Sequence, residues 1–185
     1  MKENLVWKEE NSTPVFSGPI FTVEERLCRS PDNKTGIYTV LNTRDWAIVI
    51  PVLDTGQGRE FVMVWQWRHG ARNLSLEFPG GVFEKGEDEF KAASRELREE
   101  TAYTPGKITK LGELSPNPAI MSNKVHFFLA EDLTAAGKLS PDEDEYIEVE
   151  TIPAEKVFRG LGKAPFIHAL MGTALALYLG KGYSI

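Results

Sequence analysis

Apolar residues in the first half of the chain fall in short runs of the kind that predicts β-strands. These runs are 15–29, 36–41, 46–53 and 60–68. Between the last two, the segment TGQG at 55–58 indicates a hairpin loop, because its glycines tolerate the backbone angles of a tight turn. The segment EFPGG at 77–81 predicts a second tight turn.

The period of the pattern becomes helical at about Asp88 and stays helical to Thr101. The expected apolar stripe of this helix consists of Phe90, Ala93, Leu97 and Thr101. Further along, the pattern predicts strands at 107–114, 124–130 and 146–152, a short helix at 153–158 and a terminal helix at 165–179 that Gly180 closes. Strands that surround a central helix, with another helix at the end, indicate a mixed α/β sandwich and not a regular parallel array.

Composition excludes several classes of protein. A chain of 185 residues suits one domain, or one domain with a substantial N-terminal extension. The net charge of −6 argues against a nucleic-acid or anionic-membrane binder, because both depend on a basic surface. Cys28 is the only cysteine, so no internal disulfide or cysteine-rich zinc site is expected. The N-terminus lacks the apolar core of a signal peptide and no apolar stretch is long enough to span a bilayer, so we expect a cytoplasmic protein.

Three glutamates give the predicted helix 88–101 an unusual pattern of charge. Glu96, Glu99 and Glu100 stand at positions i, i+3 and i+4, which a helix brings together within an arc of roughly 100°. Like charges at this spacing repel one another. A hard divalent cation such as Mg²⁺ would relieve the repulsion, since it prefers carboxylate oxygens. The alternative is a solvated acidic helix whose basic residues neutralise the charge.

The two glycines before the helix favour the metal hypothesis. Without a Cβ, the backbone at Gly80 and Gly81 can approach a ligand closely, and a free carbonyl there would be another oxygen ligand. Glu87 and Arg95 are expected to pair across the loop and fix the start of the helix. A Mg²⁺ ion held in this way would withdraw charge from a diphosphate and activate a water molecule for attack on phosphorus.

The same residues resemble the Nudix box, G-x5-E-x7-R-E-U-x-E-E-x-G-U, in which U is a bulky apolar residue. Gly81, Glu87 and the run RELREE at 95–100 match the pattern at every charged position. Ala102 stands where the pattern has Gly, and Tyr103 where it has an aliphatic residue. A Gly at that point would end the helix in a left-handed conformation, which costs Ala about 1 kcal/mol. This departure concerns the end of the helix and not the acidic positions.

The resemblance implies an α+β Nudix fold, in which a mixed β-sheet is sandwiched between helices, here with an N-terminal β extension. It also implies a site for Mg²⁺, with Mn²⁺ as an alternative. The metal ligands by this match are the Gly80 carbonyl, Glu96, Glu99 and Glu100, with Glu99 also counted as catalytic.

Outside the box, the chain is similar to the ADP-ribose and nucleotide-sugar pyrophosphatases of this family. The segment QWR at 66–68 resembles their Q-[FY]-R strand, and LEFPGG at 76–81 resembles L-E-x-P-A-G. The acidic segment 142–147 resembles the loop that supplies the catalytic base. By that match Glu143 is the first choice for the base and Glu145 the second; the alternative is a plain charged turn.

Four residues are candidates for substrate contacts. Arg68 is expected to bind phosphate and Glu77 a ribose or sugar hydroxyl, with a plain salt bridge between them as the alternative. Trp46 is a candidate for stacking on a base, although tryptophan packs more often in a core. Pro118 matches a proline that marks ADP-ribose hydrolases.

The implied activity is Mg²⁺-dependent hydrolysis of the diphosphate bond of ADP-ribose or a related nucleoside diphosphate sugar, giving a nucleoside monophosphate and a sugar phosphate. The alternatives are a nucleoside triphosphate pyrophosphohydrolase and a non-catalytic nucleotide-binding module, and the intact glutamates argue against the second. Neither nucleic acid nor a membrane is expected as a partner. The resemblance further implies a homodimer, in which residues 1–44 form a β extension that exchanges between subunits and 45–185 form the catalytic domain.

Overall fold

The structure, a computed structural model, describes residues 2–56, 58–140 and 145–184. The chain divides into two compact units. One consists of Met1–Asp45 and Ser115–Lys124, and the other of Trp46–Leu114 and Val125–Ile185. No helix within the described residues combines the length and the apolar character needed to cross a membrane.

The first unit is built on a three-stranded antiparallel sheet, preceded by a 3₁₀ turn at Glu3–Leu5. Its strands are β1 (Lys8–Ser17), β2 (Thr22–Arg29) and β3 (Thr35–Asn42), in the order β1-β2-β3. The prediction of one strand over 15–29 is wrong, because Gly18 and Pro19 interrupt it and the Gly18 amide donates to the Phe21 carbonyl across the turn, at 3.0 Å. The strand predicted at 36–41 is confirmed as the centre of β3.

The second unit contains a six-stranded mixed sheet. Its strands are β4 (Trp46–Asp54), β5 (Arg59–Arg68), β6 (Asn73–Glu77), β7 (Tyr103–Leu114), β8 (Val125–Ala135) and β9 (Glu148–Pro153). They run in the order β6-β5-β4-β8-β7, and β9 pairs with β5. Strands β4 and β8 are parallel and the other pairs antiparallel, with β4 and β5 forming the predicted hairpin. Strand β6 was not predicted.

Three helices complete this unit: α1 (Glu89–Thr101), α2 (Ala154–Gly160) and α3 (Ala169–Gly180). The Asp88 side chain caps α1 by accepting from the amides of Phe90 and Lys91. At the other end, Ala102 has φ 57° and ψ 26°, the left-handed conformation expected at the Gly position of the box. Helix α3 begins later than predicted, after His168, which caps it.

The sheet lies between helices, which confirms the α+β prediction. One face packs against α1 and the other against α2 and α3. The buried residues between the sheet and α1 are Ala47, Val49, Ala93, Leu97, Phe128 and Ala130. The inward stripe of α1 contains the predicted Ala93, Leu97 and Thr101 but not Phe90, which is 39% exposed, whereas Ala92 is fully buried. The stripe also includes Glu100, which is only 3% exposed.

Candidate active site

Helix α1 carries the three box glutamates on its buried side, with exposure falling from Glu99 to Glu100. The Glu99 side chain is 29% exposed and that of Glu96 is 12% exposed. One nitrogen of Arg95, Nη1, donates to Glu96 Oε1 at 2.8 Å and to Glu99 Oε2 at 3.1 Å. The arginine therefore holds two of the carboxylates side by side.

Arg95 also fixes the loop before the helix. Its Nε and Nη2 donate to the two carboxylate oxygens of Glu87 at 2.8 and 2.9 Å, which confirms the predicted pair. Nη2 donates to the Val82 carbonyl as well, at 3.2 Å. Hydrogen bonding by Arg95 lowers the pKa of Glu87, and the surrounding carboxylates raise the pKa of Arg95. Through these hydrogen bonds Arg95 fixes the positions of the Glu87, Glu96 and Glu99 carboxylates.

The backbone at Gly80 and Gly81 lies against the box glutamates. The amide of Gly80 donates to Glu100 Oε2 at 2.8 Å. A Cβ on Gly81 would lie 2.6 Å from Glu96 Oε1, and one on Gly80 would lie 2.1 Å from the Ala47 carbonyl oxygen. Only glycine therefore allows this segment to lie against both the carboxylates and β4.

Two of the box glutamates, Glu96 and Glu100, are electrostatically unfavourable as neighbouring anions. Burial, together with the charges of Glu99 and Glu145, raises the pKa of Glu96 to about 7 against the opposing effect of Arg95. Burial and the charges of Glu96 and Glu145 raise the pKa of Glu100 well above its ordinary value, although the Gly80 amide opposes the shift. A divalent cation would reverse these shifts, and oxygen donors are the ligands that Mg²⁺ prefers. The residues fit such a metal.

Arg68 and Glu77 form a bidentate ion pair near these glutamates. Arg68 Nε and Nη2 donate to Glu77 Oε1 and Oε2 at 3.0 and 2.6 Å. Burial alone would raise the pKa of Glu77, but Arg68 lowers it overall. Both side chains lie on the face of the sheet that packs against α1. Side chains alternate between the two faces along a strand, and Met63 of β5 and Leu76 of β6, at odd spacings from Arg68 and Glu77, lie in the core on the other face. The charges of Glu100 and Glu145 act on Arg68, so the pair lies within electrostatic range of the site.

The acidic loop also acts on the site. Glu145 is exposed, and its charge contributes to the raised pKa of both Glu96 and Glu100. Just before the loop, the Ser140 amide donates to the Glu99 carbonyl at 3.0 Å. Glu143, the first choice for the base, lies outside the described residues.

Two further predicted substrate contacts are Trp46 and Pro118. Trp46 is partly buried against the core formed with α2 and α3, on the face of the sheet opposite α1. Pro118 is exposed and belongs to the unit that contains Met1–Asp45.

The structure also contains a cleft that no sequence motif indicates. Its volume is about 540 Å³, and it is lined by Arg68, His69, Gly70, Ala71, Glu77, Ile167, His168 and Ala169. The spacing of His168 in the sequence matches no ligand motif. The residue reaches the cleft only because the segment before α3 runs along the edge of β6, where the Leu76 amide donates to the Pro165 carbonyl at 3.1 Å.

A second group of potential metal ligands lies away from the box glutamates. Ligand atoms of Glu89, Glu113 and His126 lie within 4.8 Å of one another. Lys110 Nζ donates to Glu89 Oε2 at 2.6 Å and to Glu113 Oε2 at 2.8 Å. Because Lys110 supplies the cation for both carboxylates, this cluster is explained without a metal.

Comparison with known proteins agrees with this geometry. Residues 43–170 match the NUDIX domain family. The chain is 32% identical over 160 residues to the ADP-ribose pyrophosphatase of Bacillus subtilis (strain 168), covering 86% of this chain and 83% of that protein. It is 29% identical over 139 residues to the methanol dehydrogenase activator of Bacillus methanolicus, covering 73% and 72%. A crystal structure of an ADP compounds hydrolase matches with a TM-score of 0.84 and 25% identity over 100% of both chains. The chain belongs to the Nudix family and is a Nudix hydrolase.

Proposed function

We propose that the protein hydrolyses the diphosphate bond of ADP-ribose or a related nucleoside diphosphate sugar, yielding a nucleoside monophosphate and a sugar phosphate. The observation that carries the proposal is a pair of carboxylates with raised pKa values, the half-buried Glu96 and the buried Glu100, beside the Arg68–Glu77 ion pair. Similarity to proteins named ADP-ribose pyrophosphatase and ADP compounds hydrolase supports the choice of substrate.

Glu96, Glu99 and Glu100 would hold Mg²⁺, or Mn²⁺ in its place, together with the Gly80 carbonyl. The carbonyls of Pro79 and Gly81 accept from amides of β4 at 3.0 and 2.9 Å, so Gly80 between them turns its backbone groups toward α1. When bound, the metal would supply positive charge to the diphosphate oxygens and make a water molecule more acidic.

Arg68 and Glu77 would orient the substrate. Two nitrogens of Arg68 are held by Glu77, while Nη1 has no hydrogen-bond partner among the described residues and its side chain is 40% exposed. Nη1 can therefore donate to a phosphate oxygen while the ion pair stays intact. Each carboxylate oxygen of Glu77 keeps a lone pair, so it can accept from a sugar hydroxyl at the same time.

The acidic loop would supply the general base. We assign this role first to Glu143 and second to Glu145, and we count Glu99 as catalytic through its place beside Glu96. The effect of the Glu145 charge on Glu96 and Glu100 supports a loop that faces the site. Glu143→Gln and Glu145→Gln variants separate the two candidates: the base is the one whose replacement lowers kcat with little change in KM.

We also propose a cytoplasmic homodimer in which residues 1–44 exchange between subunits around the catalytic region 45–185. The three-stranded sheet supports this, because it exposes the apolar side chains of Phe16, Ile20 and Ile37. Light scattering at several concentrations tests the proposal. We expect the mass of a dimer, and a protein that stays monomeric would contradict it.

A panel of substrates tests the proposed activity. The protein is incubated with Mg²⁺ and ADP-ribose, other nucleoside diphosphate sugars or nucleoside triphosphates, and the products are separated by chromatography. We expect a nucleoside monophosphate and a sugar phosphate from at least one diphosphate sugar. Release of pyrophosphate from triphosphates alone would identify the alternative reaction, and no product from any diphosphate would contradict the proposal.

A further inference from the structure

His168 caps α3 with one nitrogen of its ring and turns the other toward the cleft. The Leu170 amide donates to His168 Nδ1 at 3.1 Å, so Nδ1 carries no proton. In the neutral ring the proton must therefore lie on Nε2. Burial lowers the pKa of His168, which agrees with the neutral form.

The donor at Nε2 has no hydrogen-bond partner among the described residues. Glu77 Oε2 lies 3.8 Å from it, which is beyond hydrogen-bond distance. Both oxygens of Glu77 already accept from Arg68. The side chain of His168 is 29% exposed and lines the cleft, so a ligand in the cleft can reach Nε2.

The cleft brings two donors together beside the metal site. Arg68 and His168 both line it, and Nη1 of Arg68 and Nε2 of His168 have no hydrogen-bond partner among the described residues. The charge of Glu100 acts on Arg68. A volume of about 540 Å³ is large enough for the sugar phosphate or the nucleoside half of a substrate. Two converging donors suit oxygen atoms of a phosphate or a hydroxyl group.

We propose that His168 is a substrate-binding residue whose Nε2–H donates to a phosphate or hydroxyl oxygen of the substrate in this cleft. The inference rests on the proposed function, because it assumes a substrate that contains a sugar phosphate. It assigns two separate tasks to one side chain: Nδ1 stabilises α3, and Nε2 binds the ligand.

Two substitutions separate these tasks. In His168→Asn, the side-chain oxygen can still accept from the Leu170 amide, but no donor reaches the position of Nε2. In His168→Gln, the longer amide can place a donor near that position, while the cap is weakened. We expect His168→Asn to keep the wild-type Tm and raise KM about tenfold, the effect of one lost hydrogen bond, with a smaller change in kcat. We expect His168→Gln to keep KM within about threefold and lower Tm by about 2–4 °C.

A purely structural role makes a different prediction for the KM of His168→Asn. If His168 only caps α3, His168→Asn will have the KM and Tm of the wild type, and this result would overturn the proposal. The substrate for these assays is whichever diphosphate sugar the wild type hydrolyses.

Ligand binding provides a readout that does not depend on turnover. The ¹⁵N resonances of His168 are followed by NMR while AMP or ribose 5-phosphate is added. We expect the free protein to show the Nε2–H tautomer, and one of the two compounds to shift Nε2 while Nδ1 stays unchanged. The compound that shifts Nε2 identifies the half of the substrate in the cleft. No shift with either compound would overturn the inference, whereas a shift without turnover on the substrate panel would contradict only the proposed function.

Discussion

Replacement of Gly81 by alanine should weaken metal binding without unfolding the protein. The new Cβ would lie 2.6 Å from Glu96 Oε1 and 2.7 Å from its Cδ and Oε2. Ordinary contact begins at 3.4 Å, so the carboxylate must move away by about 0.8 Å. Because it is the far end of a flexible side chain, the carboxylate can make this movement at little cost to the fold.

The displacement is large compared with the tolerance of the proposed metal. Mg²⁺ requires near-ideal octahedral geometry with bonds of about 2.0–2.1 Å, so a ligand displaced by about 0.8 Å is lost or distorted. A misplacement of about 1 Å at an active site costs on the order of 100-fold in rate. We therefore expect Gly81→Ala to lower kcat by about 100-fold and to raise the Mg²⁺ concentration for half-maximal activity by about 10- to 100-fold.

The assay is hydrolysis of ADP-ribose against Mg²⁺ concentration, with the Tm measured in parallel. Two other glycines provide controls. Gly80→Ala should unfold the protein or lower its Tm markedly, because its Cβ would lie 2.1 Å from the backbone oxygen of Ala47. Gly172→Ala in α3 should leave activity unchanged and stabilise the fold slightly, because its Cβ would meet no atom within 4 Å. A Gly81→Ala protein with a wild-type Mg²⁺ requirement would refute the reasoning, as would one that unfolds like Gly80→Ala.

Three further predictions concern the same helix. Ala102→Gly should raise the free energy of unfolding by about 1 kcal/mol in urea titrations, because the backbone of Ala102 is in the left-handed conformation, which glycine adopts without strain. An unchanged free energy of unfolding would show that Ala102 is not strained. Glu96 has a folded pKa of about 7 against an ordinary 4.5, so the metal-free protein should lose up to about 3 kcal/mol of stability as the pH rises from 4.5 to 7. Glu96→Gln should remove that loss, and an identical pH profile would exclude Glu96 as its source. Arg95→Lys should lower kcat at least about tenfold, because lysine lacks the forked geometry with which arginine holds several carboxylates. A wild-type kcat would contradict a role for Arg95 in positioning these carboxylates.

The parts of the site that the sequence predicts are those set by local spacing. The contacts of Arg95 with Glu87 and Glu96 follow from the loop and one helical turn, and the left-handed Ala102 follows from the end of that helix. From the sequence alone, a salt bridge between Arg68 and Glu77 is the alternative to substrate binding. In the structure the two side chains form that ion pair, which leaves Nη1 of Arg68 without a partner among the described residues.

The parts that the sequence does not predict depend on tertiary packing. Strand β6 has five residues and lies at an edge, so its pattern is too short to separate from a loop. Phe90 fits the helical stripe but lies at its margin, where it packs edge-on against Phe128 with ring centroids 5.4 Å apart. His168 reaches the cleft from a segment about ninety residues beyond Glu77, and no local pattern indicates that approach.

Turnover by Glu100→Gln tests the role of the buried carboxylates most directly. Glutamine keeps an oxygen that can accept from the Gly80 amide, so it preserves the shape and the hydrogen bond while it removes the charge that a cation needs. Because Glu100 is buried and its pKa is raised, loss of the charge should leave the metal-free protein at least as stable as the wild type. We predict that this variant loses Mg²⁺-dependent hydrolysis of ADP-ribose by about 100-fold or more with no decrease in Tm. A folded Glu100→Gln protein that hydrolyses ADP-ribose at the wild-type rate would contradict a metal-binding role for these glutamates.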